Sequence, residues 1–169
     1  MKMVFLPPIS NLTQSWAARL REAVPAARFE TPESEAQALA ELTDADAAFG
    51  TLTPDLLAAA PKLRWLQSPM AAPPAGFYFD ELVEHGAQVT NFRGIYNDHI
   101  SYHILGMMLS FTKHLHDYRD QQMRKEWKPL RSEPYNQIYL PECCVLIVGA
   151  GGIGSETARL LKAIGMRVI

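Results

Sequence analysis

From Cys144 the chain reads Val145-Leu146-Ile147-Val148-Gly149-Ala150-Gly151-Gly152-Ile153-Gly154-Ser155. An apolar run of strand length therefore opens directly onto glycines at 149, 151 and 154, the G-x-G-x-x-G spacing. Each glycine answers a separate physical demand. Gly149 permits the tight turn out of the strand. Gly151 lets the backbone approach a pyrophosphate with no side chain between, and Gly154 lets the next helix pack closely on the strand. That helix would turn its free N–H groups and positive dipole end toward the phosphates. Gly149, Ala150, Gly151, Gly152, Ile153 and Gly154 are thus the candidate cofactor-binding residues, with NAD or NADP as the ligand. The acid that bonds the adenosine ribose is expected about 20 residues beyond the glycines. That position lies past Ile169, so the two cofactors are not distinguished here. A glycine-rich turn that binds nothing is the plainer alternative, and the surrounding order of elements argues against it.

The other polar residues carry less. His99 and His103 have metal-ligand spacing on a helix, but Ile100-Ser101-Tyr102 supplies no general base and no third ligand is evident, so no metal site is assigned. His114 and His116, two apart on a helix, are not expected to face one site. Ser155 follows the last motif glycine and is expected to bond backbone. The adjacent Cys143 and Cys144 offer neither ligand spacing nor a disulfide framework, and read as small buried residues in a reduced protein. Arg93 and Tyr96 stand at a hinge, where side chains can reach a cleft between domains.

These residues must be positioned by elements legible in the same sequence. Ile153, Thr157, Leu160, Leu161 and Ile164 form a helix face after the glycines, Gly165 suits the C-cap, and Met166 to Ile169 begins another strand. Strand, turn, helix and strand follow in the order the motif requires. Upstream, strands are expected at Met3–Leu6, Ala26–Glu30, Ala47–Gly50, Arg64–Ser68 and Gln88–Asn91. Helical segments alternate with them: Leu12, Trp16, Leu20 and Val24 make one face, and Thr31-Pro32-Glu33 and Thr53-Pro54-Asp55 read as helix starts capped by Thr. That alternation predicts a parallel sheet in an α/β fold. After Asn91-Phe92-Arg93-Gly94 a long helix is expected, with Asn97 as N-cap. Its apolar face would run through Ile100, Ile104, Met107, Met108, Phe111 and Leu115, the Met pair serving as core filler. Arg119 to Arg131 reads as a solvated arm, and Pro129, Pro134 and Pro141 punctuate a polar connection.

Composition agrees with such a chain. Of 169 residues, 48% are hydrophobic and 20% charged, enough apolar material for a core and too much for disorder. Sixteen basic against 18 acidic residues leave a formal charge of −2 and no electrostatic case for nucleic acid or an anionic membrane. No run approaches the ~20 apolar residues of a membrane span. Nor does Met1 to Leu6, cut by Pro7-Pro8, make a signal peptide. A cytoplasmic location is the expectation.

In four segments the chain resembles the D-2-hydroxyacid dehydrogenase family. They are Leu63 to Ser68, Val89 to Ile95, His103 with Leu105 to Leu109, and Val145 to Ile169. The resemblance implies a flavodoxin-like substrate-binding domain over about 1–95, lacking its C-terminal return helix. The truncated start of a Rossmann dinucleotide-binding domain would follow over 96–169. It implies that the loop after Ser68 holds the substrate carboxylate on backbone N–H groups. Here that loop is Pro69 to Gly76, longer and richer in proline than the family's usual form, which leaves Met70, Ala71 and Ala72 as candidate donors. The family's catalytic Arg, Glu and His are expected beyond Ile169, and His103 is not the catalytic His. The resemblance further implies a homodimer built by the long helix and arm, 97–139.

The expected function is therefore hydride transfer between NAD(P)(H) and C2 of a small 2-hydroxy or 2-keto acid. The 169 residues alone are expected to be inactive. The alternative from another class is a non-catalytic, dinucleotide-sensing dimeric interaction module on the same fold.

Overall fold

The computed structural model describes residues 1–130 and 138–169. Arg131 and Pro134 of the expected arm, and the part of the expected dimer segment from 131 to 137, lie outside the described residues. The chain divides into two units, Met1–Arg93 and Gly94–Ile169.

In the first unit, five short apolar segments become strands: β1 (Lys2–Phe5), β2 (Arg28–Glu30), β3 (Ala47–Phe49), β4 (Trp65–Gln67) and β5 (Gln88–Thr90). They pair in parallel in the order β2-β1-β3-β4-β5, the flavodoxin-like arrangement. The connections hold α1 (Asn11–Ala23), α2 (Glu35–Leu42), α3 (Pro54–Ala58) and α4 (Asp80–Glu84). Because side chains alternate along a strand, β1 sends Val4 to one face and Met3 and Phe5 to the other. Val4 joins Leu42, Leu56 and Leu66 in the larger core. Met3 and Phe5 join Ala17, Phe29 and Ala47 in the smaller one.

Two local expectations change. α2 is capped by Ser34, not Thr31: Ser34 Oγ accepts the Gln37 N–H at 3.3 Å, and Gln37 Oε1 accepts the Glu33 N–H at 2.9 Å. Pro32 sits outside that helix, whereas Thr53-Pro54 starts α3 as expected, Thr53 Oγ1 accepting the Leu56 N–H at 3.3 Å. In α1 the fully buried residue is Ala17, while Leu12, Trp16 and Val24 of the expected face stay exposed. Close approach of the helix to the sheet selects the small residue. Trp16 instead leans edge-on against Phe49, ring centroids 5.9 Å apart.

The second unit comprises α5 (Asn97–Thr112), α6 (Leu115–Met123), a 3-10 turn at Leu140–Glu142, β6 (Cys144–Val145), α7 (Gly152–Ala163) and β7 (Arg167–Val168). β6 and β7 pair in parallel, Cys144 opposite Arg167 and Val145 opposite Val168. Leu105, Met108 and Leu109 of α5 pack with Leu140, Leu161 and Met166.

Several expectations are corrected here. The cap of α5 is Tyr96, and Asn97 is the first helical residue. The apolar face does not run unbroken to Leu115, because His114 is left-handed at φ 54° and separates α5 from α6. Ile100, Met107, Phe111 and Leu115 are exposed, so only Met108 of the Met pair fills a core. Cys144 is exposed and Cys143 half-buried, since the short two-stranded sheet leaves one side open. For the same reason Leu146 and Val148 are 68% and 91% exposed.

Candidate cofactor site

The glycine turn takes the shape its spacing requires. Gly149 leaves the strand at φ 99°, in the region L side chains avoid. Gly151 caps α7 in extended conformation, φ −71° and ψ −169°. The first intrahelical bond there runs from the Ser155 N–H to the Gly151 carbonyl at 2.8 Å. The N–H groups of Gly152, Ile153 and Gly154 precede it, and an α-helix supplies no partner for them. Ser155 Oγ donates back to the Ala150 carbonyl at 3.1 Å, the backbone bond expected of it.

Adding a methyl group to each glycine separates their roles. On Gly154 a Cβ would overlap the Gly149 carbonyl oxygen and come within 3.2 Å of Ile147 Cγ2. That glycine is required by the packing of helix on strand. On Gly152 it would overlap the Asn97 side-chain amide. On Gly151 it would meet nothing within 4 Å. Packing among the described residues therefore gives no reason for Gly151. Three N–H groups with no acceptor among the described residues, the dipole end of a 12-residue helix and a bare Cα fit a dinucleotide pyrophosphate.

Beside the turn, at the carboxyl ends of β6 and β7, Ile147, Ala150, Gly154, Lys162 and Ile169 line a cleft of about 480 Å³. Ligands of open α/β sheets bind outside the carboxyl ends of the strands. Glu156 and Arg159 on α7 form a two-pronged ion pair at 2.9 and 2.6 Å. The Arg159 bonds hold the Glu156 carboxyl below its ordinary range, and those to Glu156 raise Arg159. α7 ends as Gly165 was expected to allow. The Gly165 N–H reaches the Lys162 carbonyl and the Met166 N–H the Leu161 carbonyl, both at 3.0 Å, with Gly165 at φ 88°.

In the first unit, the loop after β4 is anchored by Ser68, which is fully buried. Ser68 Oγ accepts the Met70 N–H at 3.2 Å. Of the three expected carboxylate donors, Met70 is therefore already engaged, whereas no protein acceptor among the described residues takes the N–H of Ala71 or Ala72. Sequence reasoning missed the support beneath this loop. Trp65 Nε1 donates to Thr90 Oγ1 at 2.7 Å, Thr90 Oγ1 to Gln67 Oε1 at 2.6 Å, and Gln67 Nε2 to the Ser68 carbonyl at 2.9 Å. The residues alternate with core positions on β4 and β5, the one signal that put them on a common face. Arg93 is exposed at the end of the first unit, its N–H held by Asn91 Oδ1 at 3.0 Å. Tyr96, also exposed, opens α5 in the second.

The histidines depart from expectation. His114 and His116 both reach Asp117 Oδ2, at 3.1 and 3.4 Å. The left-handed turn at His114 takes its side chain out of the helical array that would have kept them apart. Among the described residues no group of three His, Cys, Asp or Glu could hold a metal ion.

The fold and turn define a dinucleotide-binding α/β protein. Residues 105–169 match the model of the D-isomer specific 2-hydroxyacid dehydrogenase NAD binding domain. NAD or NADP is accordingly the cofactor class. Three solved structures are similar over 99% of the chain. A D-lactate dehydrogenase from Treponema pallidum has TM-score 0.78 at 21% identity, over 52% of its own length. A D-isomer specific 2-hydroxyacid dehydrogenase family protein from Aeromonas salmonicida has 0.77 at 29%, over 52%. D-Lactate dehydrogenase from Aquifex aeolicus, complexed with NAD and lactic acid, has 0.74 at 19%, over 50%. The chain spans about half the length of these proteins.

Proposed function

We propose that the protein carrying this chain is an NAD(P)-dependent oxidoreductase acting on a small 2-hydroxy or 2-keto acid. The observation that carries the reading is Gly151, bare toward open space between a positive-φ glycine and three free N–H groups, in a segment of the matching family. When bound, the nicotinamide dinucleotide supplies or accepts the hydride at C2 of the acid. This chain's contribution is to hold and orient. Gly152, Ile153 and Gly154 donate to the pyrophosphate, with Gly149 and Ala150 shaping the turn. Ala71 and Ala72 donate to the substrate carboxylate, Met70 and Ser68 bracing their loop, and Arg93 and Tyr96 add polar groups from the hinge segment. On this reading 1–95 is the substrate-binding domain and 96–169 the opening of the dinucleotide-binding domain. The catalytic Arg, Glu and His are assigned to other residues of the protein, so the 169 residues alone should show no turnover.

The exposed apolar residues of α5, Ile100, Met107 and Phe111, support assembly as a homodimer through 97–139. Two free cysteines support a reducing, cytoplasmic setting, and no helix among the described residues is long and apolar enough to cross a membrane. The test is the complete protein mixed with NADH or NADPH and a panel of 2-keto acids. Consumption of the reduced cofactor with at least one acid is expected. Cofactor binding without turnover on any of them would overturn the dehydrogenase reading.

A further inference from the structure

Ser101 is fully buried on α5, four residues from the helix start and a long way in sequence from the glycine turn. Yet its hydroxyl donates to the carbonyl of Ile153, inside that turn, at 3.2 Å, and accepts from Thr157 Oγ1 at 3.0 Å. A hydroxyl in an otherwise apolar helix contact gains little net stability over alanine. Its geometry has a more specific consequence. The Ile153 carbonyl and the Gly154 N–H belong to one planar peptide group. A hydrogen bond on that carbonyl fixes the plane, sets the direction of the Gly154 N–H, and polarises it into a stronger donor.

Asn97 acts from the same side. Residues 97 and 101 are four apart and share a helix face, and the Asn97 amide lies against Gly152, where a Cβ would overlap it. Asn97, Gly94, Gly152 and Ser155 line one cleft of about 570 Å³. The first turn of α7 is thus held from α5 at two successive residues.

We propose that Ser101 is a positioning residue for the cofactor: through the Ile153 carbonyl it orients the Gly154 N–H that the glycine turn offers to the pyrophosphate. This rests on the dinucleotide-binding reading above and adds to it a residue outside the motif. Thr157 is the matched control, being equally part of the buried hydroxyl pair but leaving the Ser101–Ile153 bond in place when its own hydroxyl is removed.

The experiment measures two quantities in the complete protein for Ser101→Ala and Thr157→Val: the dissociation constant of NADH or NADPH by fluorescence titration, and the thermal midpoint. Ser101→Ala should weaken cofactor binding about five- to tenfold, the effect of losing one oriented hydrogen bond. Thr157→Val should change it less than about twofold, with a similar change in midpoint. Ser101→Cys, which fills the same space with a weak donor, should fall between, and carries the test if Ser101→Ala does not fold. Unchanged affinity in the Ser101 variants would overturn the proposal. So would equal weakening in Ser101→Ala and Thr157→Val that follows the loss of midpoint. Failure of the unsubstituted protein to bind either cofactor would instead refute the dinucleotide reading itself.

Discussion

Substituting each motif glycine by alanine should give three different outcomes, because the three meet different surroundings. At Gly154 the new Cβ overlaps a backbone oxygen, which cannot swing aside as a side chain would. The turn must shift, and forced overpacking of this kind costs about 1–3 kcal/mol. At Gly149 there is room, nothing lying within 4 Å, but φ is 99°. The cost is backbone strain of about 1–3 kcal/mol. At Gly151 neither penalty applies, since φ is −71° and the space is open. Reduced freedom of the unfolded chain should favour Ala there by about 0.4–1 kcal/mol. A weaker N-cap should offset this by about 0.5–1 kcal/mol. Gly151→Ala is therefore expected within about 1 kcal/mol of the unsubstituted protein by urea unfolding. Its cofactor affinity should nevertheless fall steeply. A methyl group between backbone and pyrophosphate lengthens at least one charge-assisted bond worth about 1.5–3 kcal/mol, a loss of tenfold or more. Fluorescence titration with NADH reads the affinity. Gly151→Ala binding NADH as tightly as the unsubstituted protein, or losing as much stability as Gly154→Ala, would refute the assignment.

Two further outcomes follow from charge and from the open helix face. Lys2 is buried and bonds Asp44 at 2.5 Å and Glu41 at 2.7 Å; burial pulls its pKa down, but those bonds outweigh it and leave it raised. Hydrogen bonds from Lys2, by its side chain to Asp44 and its backbone N–H to Asp46, hold both carboxyls below the ordinary 3.8. Carboxyls with depressed pKa stabilise the fold above their unfolded value and lose that contribution as pH falls through the folded one. The raised Lys2 pKa adds stability below 10.5 that is lost as pH rises through its folded value. Thermal midpoints of the protein and of Lys2→Met should therefore differ most near neutrality and converge below about pH 4; a constant gap would contradict the network. For the homodimer proposed above, Met107→Glu on the exposed face of α5 should raise the dissociation constant by about 100-fold or more, the cost of an unpaired charge at an interface. The check is light scattering on dilution, and a monomer at every concentration before substitution would remove the dimer.

How much of this was legible beforehand depended on whether a feature is local. The five strands of the first unit, the Thr53 cap and the Gly165 cap could be read because each is decided within a few residues by alternation, capping chemistry or a required φ. The roles of Gly149 and Gly154 were legible for the same reason. What failed was whatever a neighbouring element decides. Thr31 and Ser34 are both competent caps, and the choice fell to the one whose helix also gains the Gln37 side-chain bond to Glu33. The apolar stripe of α5 was real, but two faces of that helix are apolar. The small residue Ser101 marks the one that meets α7, as Ala17 marks the buried side of α1. Periodicity counts hydrophobic positions and so points to the bulky face, whereas close helix contact selects small side chains. His114 escaped notice because a left-handed residue without glycine or asparagine carries no strong sequence signal.

The two candidate sites, one in each unit, divide along the same line. The glycine motif of the second unit was visible as a pattern, while the supports, Trp65, Gln67 and Thr90 under the first unit's loop and Ser101 behind the second unit's turn, are single polar residues in apolar segments. A polar residue in such a segment must find a partner if it is buried. That rule identifies a debt of one hydrogen bond per residue without saying where the partner lies. At Ser101 the partner lies 52 residues away in sequence. Only the parallel pairing of β6 with β7 and the packing of α7 on α5 bring it within reach.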